Sequence, residues 1–304
     1  MTHDSISKMK SALVMRSRII QAIRDFFVDR GFLEIETPVR IPVPALELHI
    51  DAISSDGHFL RTSPELHMKR LLAAGYDRIF QIGPCFRRGE KGRLHNPEFT
   101  MLEWYRLNAD YNDILVDTKM LVAFLAEKIL GGASVVFQGR KIELMPLWEC
   151  IPVDDAFVLH AGWSPVKRFD ADRFDMDLLE KVEPNLPSDR PVVLMDYPAE
   201  AAALARRKPG RPEVAERWEL YIGGMELVNA FSELTDPVEQ RKRFEECAEE
   251  RRKAGRDVYR LDEEFLQSLE KGMAPSGGAA LGLDRLVMLL TDSAEINEVR
   301  SFCH

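Results

Sequence analysis

One stretch limits what this chain can become more than any other: Phe80 to Arg106, FQIGPCFRRGEKGRLHNPEFTMLEWYR. It opens on an apolar run of the kind a buried strand needs. It then turns cationic at Arg87, Arg88, Lys91 and Arg93, with Gly89 and Gly92 interrupting regular structure. His95-Asn96-Pro97 closes the loop, and a second strand-like run follows from Phe99 to Leu107. The pattern predicts two strands that carry a mobile basic loop, with Glu103 and Tyr105 on the return strand. Arginines and glycines on a rigid hairpin suit a polyphosphate, because planar guanidinium groups grip phosphate oxygens in pairs. A solvated hairpin tip is the competing explanation for the same charge.

The flanking sequence predicts elements that would carry such a hairpin. Arg16 to Arg30 has the spacing of an amphipathic helix, with Gly31 placed as its C-terminal stop. Phe32 to Thr37 reads as a short strand ended by Pro38, Arg40 to Leu46 as irregular, and Phe59 to Thr62 as strand-like. Ser63 caps a helix with Pro64 at its first position, running to about Ala74. Beyond the hairpin come a helix over 113–130 stopped by Gly131-Gly132 and a hairpin over 135–144 turning near Gln138-Gly139. Residues 150–190 read as helical with loops and carry no interpretable motif. A buried strand over 192–196 precedes a strand pair over 214–234 turning at Gly223-Gly224. A charged helix over 238–253 and a buried one over 282–290 end the pattern. Strands joined by hairpins, with helices between groups of them, predict an α+β fold: an antiparallel sheet flanked by helices rather than a doubly wound one.

Charge and cysteine usage narrow the function classes. The net charge of −9 gives the surface no general attraction for nucleic acid, so a polyanion must find a local basic patch. Two patches qualify: the Arg87–Arg93 loop, and Arg206-Arg207-Lys208 with Arg211. The second is read as a solvated loop because Pro209, Gly210 and Pro212 interrupt it. Cys85, Cys150, Cys247 and Cys303 are scattered and support neither a disulfide framework nor a metal site. No apolar run reaches the length of a membrane span, and the N-terminus lacks a signal-peptide core, so a cytoplasmic location is expected.

Three segments in order carry a family resemblance. Gly31-Phe32-Leu33-Glu34-Ile35-Glu36-Thr37-Pro38 (motif 1, about 31–46), Phe86 to Tyr105 (motif 2, about 80–106) and Gly277-Gly278-Ala279-Ala280-Leu281-Gly282-Leu283-Asp284-Arg285-Leu286 (motif 3, about 277–290) resemble the three motifs of class II aminoacyl-tRNA synthetases. The similarity is closest to lysyl-tRNA synthetases and runs from about residue 14 to 290. It implies a six- to seven-stranded antiparallel sheet, ATP bound in a bent shape, and a homodimer formed through motif 1. It also implies roles. Arg87 meets the α-phosphate, Arg285 the γ-phosphate end, and Phe99 stacks on adenine. Arg88, Gly89, His95, Asn96, Glu226, Leu227 and Gly282 complete the ATP site. In ELYIGGMELVNAFSEL, Glu219 and Glu226 hold Mg2+ and Glu233 meets the side-chain amine of the amino acid. Ser63, Pro64, Glu65, Glu103, Tyr105 and Asn229 complete a pocket for a lysine-like ligand with two ammonium groups. The residues agree with this: carboxylate oxygens suit magnesium, and acids set among apolar residues need a cationic partner.

Three features refine the resemblance. Only about thirty residues precede motif 1, too few for a five-stranded barrel, so an anticodon-binding OB domain is not expected; the whole chain is read as one catalytic domain, 1–304, without stable tRNA binding. That architecture is similar to the free-standing synthetase paralogues that ligate (R)-β-lysine to a lysine ε-amine of elongation factor P. HNPEFTMLEWYR and Ala280, where lysyl-tRNA synthetases typically have glycine, point the same way. The family's Arg-x-Glu after Phe86 is here Arg87-Arg88-Gly89-Glu90, so either Glu90 reaches the adenine or Gly89 offers backbone alone. The competing readings are a truncated lysyl-tRNA synthetase-like enzyme charging tRNA or a small acceptor, and a nucleotide-binding regulator without catalysis.

Overall fold

The computed structural model of the chain describes residue 7 and residues 9–303, so most of the polar N-terminus discussed above lies outside the described residues. Eight strands form the main sheet: β1 (Leu33–Glu34), β2 (Arg78–Phe86), β3 (Glu98–Leu107), β4 (Glu149–Pro152), β5 (Val192–Met195), β6 (Arg217–Ile222), β7 (Met225–Ser232) and β8 (Ser276–Gly282). Their spatial order is β1-β2-β3-β8-β7-β6-β5-β4. The middle pairings, from β2 to β5, are antiparallel; the edges β1 and β4 add parallel pairs. The expected antiparallel sheet is therefore present, and the two short edges bring it to eight strands.

The central hairpin pairs from Arg78 opposite Arg106 to Phe86 opposite Glu98. Its alternation divides the molecule. Phe80, Leu102 and Trp104 point into the main core, whereas Phe99, Met101, Glu103 and Tyr105 point to the other face. The core is completed by three helices, α1 (Lys10–Val28), α3 (Tyr111–Leu125) and α8 (Leu283–Thr291). On α1, Ile19, Ile23, Phe26 and Phe27 recur on one side and are buried. Phe27 stacks on Phe80 at 4.9 Å between ring centroids and touches Trp104 at 5.4 Å, so the helix is seated directly on the hairpin. Asp110 caps α3 through a reciprocal pair with Asp113, and Gly131 takes φ 70° where the helical segment stops.

The opposite face is left open at its middle. α2 (Glu65–Ala73), α6 (Pro237–Lys253) and α7 (Glu263–Glu270) cover one end of it around Leu66, Met68, Leu72, Phe244 and Phe265. α4 (Val153–His160) and α5 (Ala171–Asp177) build a satellite core with β5 at the other end. No helix among the described residues is long and apolar enough to cross a membrane.

Several expectations need correction. The glycine-rich start of motif 3 carries no strand pattern in the sequence, yet it is β8, paired with both β3 and β7. Glycine is a weak strand residue, but here bulk is excluded: a Cβ at Gly277 would stand 2.8 Å from Ile114 Cγ1. The edge strand β4 and helix α7 were not anticipated either, and the predicted strand over 32–37 shrinks to Leu33–Glu34. The Arg206–Arg211 segment is not a solvated loop. Arg207–Lys208 pairs with Arg211–Ala215, and the cations are taken up by neighbouring acids: Arg206 by Glu216, Arg207 by Glu239 and Lys208 by Asp196. Gly210, at φ 80°, lets the chain turn there.

Because α1 meets the sheet chiefly through Phe27, Phe27→Ala is expected to cost about 3–5 kcal/mol, read from the urea midpoint of the full chain. A loss below about 1 kcal/mol would mean that this aromatic cluster does not hold the helix to the hairpin.

Candidate active site

The open face gathers charge of opposite sign at its two ends. Strand alternation alone would not do this. From Glu226 on β7 to Glu233 just after it the spacing is odd, so a regular extended chain would turn them to opposite faces. The register between β6 and β7 slips at Leu220/Tyr221, which makes Leu227 an extra residue. Leu227 and Val228 then both enter the core, and Glu226, Asn229 and Phe231 face the open side with Glu219 of β6. Leu227, assigned to the ATP site by resemblance, therefore has its side chain buried on the opposite face.

The basic end is built where the motif 2 loop meets α8. Arg285 donates to the Glu226 carbonyl at 2.7 Å and to its carboxylate at 3.2 Å, and it contacts His95 Nε2 at 2.7 Å. Burial first, and Arg285 second, keep the His95 pKa low, so the imidazole is neutral and its Nε2 accepts from the guanidinium. Arg87 lies over the Phe99 ring at 5.1 Å and 3.7 Å from Glu90; its Nε is buried without a hydrogen-bond partner among the described residues. Of the two options for adenine, Glu90 is the side chain turned towards Arg87, while Gly89 is exposed at φ 82°. Arg88 departs from expectation. It is exposed and pairs with Asp257 at 2.6 Å, away from Arg87. Asn96 holds the loop through the Glu98 carbonyl at 2.7 Å, and a Cβ at Gly282 would stand 3.7 Å from Arg285 Cδ, in ordinary contact with the Arg285 stem. Asp284, next to Arg285, is clamped by Arg16 at 2.5 Å, Arg300 at 3.2 Å and the Thr100 amide at 2.8 Å. The sequence reading missed this clamp, which sets the start of α8.

The acidic end lies against α2. Ser63 accepts from the Glu65 amide, capping α2 beside Pro64, and donates to Glu103 at 2.7 Å. Tyr105 donates to the other Glu103 oxygen at 2.8 Å. Glu233 is fully buried and ion-paired with Lys69 through Oε2, and its Oε1 has no hydrogen-bond partner among the described residues. Burial, and then Glu65, push Glu103 up to about 7. Burial pushes Glu233 up to about 8 even against the pull of Lys69. Gly278 makes this packing possible, since a Cβ there would enter the Tyr105 ring and lie 2.8 Å from Glu233 Oε1.

Between the ends, Arg217 donates to Asn229 at 3.1 Å, to Glu219 at 2.6 Å and to the Ala201 carbonyl at 2.6 Å. The other Glu219 oxygen accepts from Tyr197 and Tyr221. Glu219 thus departs from the magnesium pattern: both its oxygens are occupied by protein donors. Glu226 does fit a divalent ion, with a carboxylate 40% exposed beside the arginine. A nucleotide also fits this end, because Arg87 Nε is an orphaned donor beside an aromatic face. Arg217, Lys69 and the Asp284 clamp sit in segments with no charge pattern of their own, and only the register reveals them.

The family model for tRNA synthetases class II (D, K and N) matches residues 3–304. This chain belongs to that family. Among curated relatives it is 37% identical to a lysine–tRNA ligase of Carboxydothermus hydrogenoformans, over 97% of this chain and 65% of the relative. The lysine–tRNA ligases of Pelotomaculum thermopropionicum and Moorella thermoacetica are each 38% identical, over 97% of this chain and 63% and 65% of their own lengths. The chain therefore spans just under two thirds of the relatives it matches. In this class II synthetase chain the three motifs meet as the fold requires: motif 2 supplies the hairpin, motif 3 supplies β8 and α8, and motif 1 supplies the edge strand β1.

Two outcomes follow from this geometry. The raised Glu233 pKa means the folded chain binds the proton more tightly than the unfolded one, whose carboxyl titrates near 4.5. That contribution to stability is full below about 4.5 and is lost as pH rises through about 8. The melting temperature of the unliganded chain should fall from pH 6.5 to 8.5, and more steeply than that of Glu233→Gln; parallel curves would refute the burial argument. Gly278→Ala should displace Tyr105 and abolish thermal stabilisation by added lysine, while Gly282→Ala keeps it; retained stabilisation in Gly278→Ala would refute the packing role.

Proposed function

We propose that this chain activates a diamino acid, (R)-β-lysine or lysine, with ATP and Mg2+, and transfers it to a lysine ε-amine of elongation factor P. One observation carries the first half: a single open face holds two arginines at one end and three buried carboxylates at the other. In this reading the amino-acid carboxylate attacks the α-phosphorus, a new P–O bond forms, and pyrophosphate leaves. Arg87 and Arg285 neutralise phosphate charge, and Glu226 holds the magnesium that accompanies it. Glu103, Tyr105 and Glu233 take the ammonium groups. The acceptor amine then attacks the acyl carbon; an amide forms, AMP leaves with the anhydride oxygen, and the amine gives up a proton.

Ala280 supports the (R)-β-lysine and elongation factor P half. It pairs with Glu103 on one side and Asn229 on the other, so its partly exposed methyl stands between two groups of the pocket. An extra methyl there discriminates between α- and β-amino isomers by about 1–3 kcal/mol. The second reading, aminoacylation of tRNA, is favoured by the identity to lysine–tRNA ligases.

The deciding experiment mixes the chain with ATP, each lysine isomer, and either elongation factor P or bulk tRNA. The protein acceptor should gain one lysyl group by mass spectrometry, and tRNA should stay uncharged. Ala280→Gly should shift the preference from (R)-β-lysine towards lysine by roughly tenfold. Charging of tRNA with no labelling of the protein would establish the second reading instead.

A further inference from the structure

The acidic pocket already contains a cation of its own. Lys69 lies on α2, four residues after Glu65, with a side chain wholly removed from solvent. Its Nζ stands 2.5 Å from Glu65 Oε1, is ion-paired with Glu233, and lies 5.0 Å from the centroid of the Phe231 ring. A buried ammonium persists only when partners replace its lost water.

The charges facing it can be counted element by element. α2 brings Glu65, β3 brings Glu103 and Tyr105, and the segment after β7 brings Glu233. Glu47, from the loop before Arg61, adds to the negative field at Glu65. Arg61 is buried nearby, yet its hydrogen bonds go to Pro84 and Thr37 and to none of these carboxylates. Lys69 therefore pairs with two of the three carboxylates, Glu103 is held only by the hydroxyls of Ser63 and Tyr105, and Glu233 Oε1 has no hydrogen-bond partner among the described residues.

We propose that Lys69 is a positioning residue of this pocket: its ammonium aims Glu65 and Glu233 and offsets the charge that Glu233 takes on, and it leaves Glu233 Oε1 and Glu103 for the ammonium groups of a ligand. The ligand class follows from the count. A dicationic amine brings cations to Glu103 and Glu233 Oε1, whereas an amino acid with an apolar side chain leaves Glu233 Oε1 stranded in a dry site. Lys69 cannot itself satisfy that oxygen, because helix α2 holds its ammonium between the other two. The kinetic consequences of this proposal rest on the diamino-acid reading above; the titration of the unliganded chain does not.

Lys69→Met and Lys69→Arg in the full chain test it in two ways. Without substrate, the carboxyl of Glu233, assigned by its loss in Glu233→Gln, is titrated by carbon-13 NMR. In Lys69→Met its midpoint should rise by about one unit or more; in Lys69→Arg it should stay in place. With lysine in ATP–pyrophosphate exchange, the KM of Lys69→Met should rise about tenfold at pH 7 and return to within roughly threefold of the unsubstituted chain at pH 9. An unmoved Glu233 midpoint, or a KM raised equally at both pH values, would overturn the proposal and leave Lys69 a packing residue. If the unsubstituted chain shows no exchange with either lysine isomer, the diamino-acid reading fails, and the NMR arm still decides the role of Lys69. If Lys69→Met does not fold, Lys69→Arg decides: a shifted midpoint there would overturn the proposal, and an unmoved midpoint with the original KM profile would support it.

Discussion

The structure depends on one electrostatic constraint: carboxylates removed from water must be matched by cations or by protons. Glu103 and Glu233 are buried on the open face of a sheet whose other face is mostly apolar. Tyr105, Ser63 and Lys69 partly meet the demand, and Glu233 Oε1 keeps no hydrogen-bond partner among the described residues. At the opposite end the sign is reversed, with guanidinium groups of Arg87 and Arg285 beside Glu226 and His95. A molecule with a cationic tail and an anionic head, lying beside a polyphosphate, is complementary to both ends at once. The apolar seating of α1 on the hairpin keeps the two ends at a fixed separation, since Phe27, Phe80 and Trp104 leave the strands no freedom to slide.

Much of this was legible because the signals were local. The hairpin showed through its apolar runs and its loop of glycines and arginines, and α1 through the recurrence of Ile19, Ile23, Phe26 and Phe27. The strand pair turning at Gly223-Gly224 was legible for the same reason. What escaped depends on neighbours distant in sequence. Gly277 and Gly278 look like a loop until Ile114 and Tyr105 are seen to occupy the space a side chain would need. Arg87 and Arg88 are indistinguishable as letters, yet the first lies over Phe99 and the second turns out to Asp257. The run from Arg206 to Lys208 looked like solvated charge because its partners, Glu216, Glu239 and Asp196, come from other elements.

The covering of the site is organised by charge as well. Arg251 of α6 is buried and donates to the carbonyls of Glu47, Leu48 and Ile50 and to the Asp51 carboxylate. It thereby fixes the loop that carries Glu47 towards the pocket. Arg88, by pairing with Asp257 and donating its amide to the Asp51 carbonyl, ties the motif 2 loop to the same segment. The arginine that does not face Phe99 thus links the two loops that border the site.

The extra residue at Leu227 has a consequence for descent. It is the reason that glutamates an odd number of positions apart can share one face. A change that made the pairing regular while keeping Leu227 would turn Glu226 into the core and strand Arg285, whereas a lineage that deleted Leu227 would make the spacing even and keep both glutamates on the open face. The irregular pairing beside Leu220 is therefore what places Glu226 and Glu233 on one face, although nothing about a leucine in an apolar run announces it.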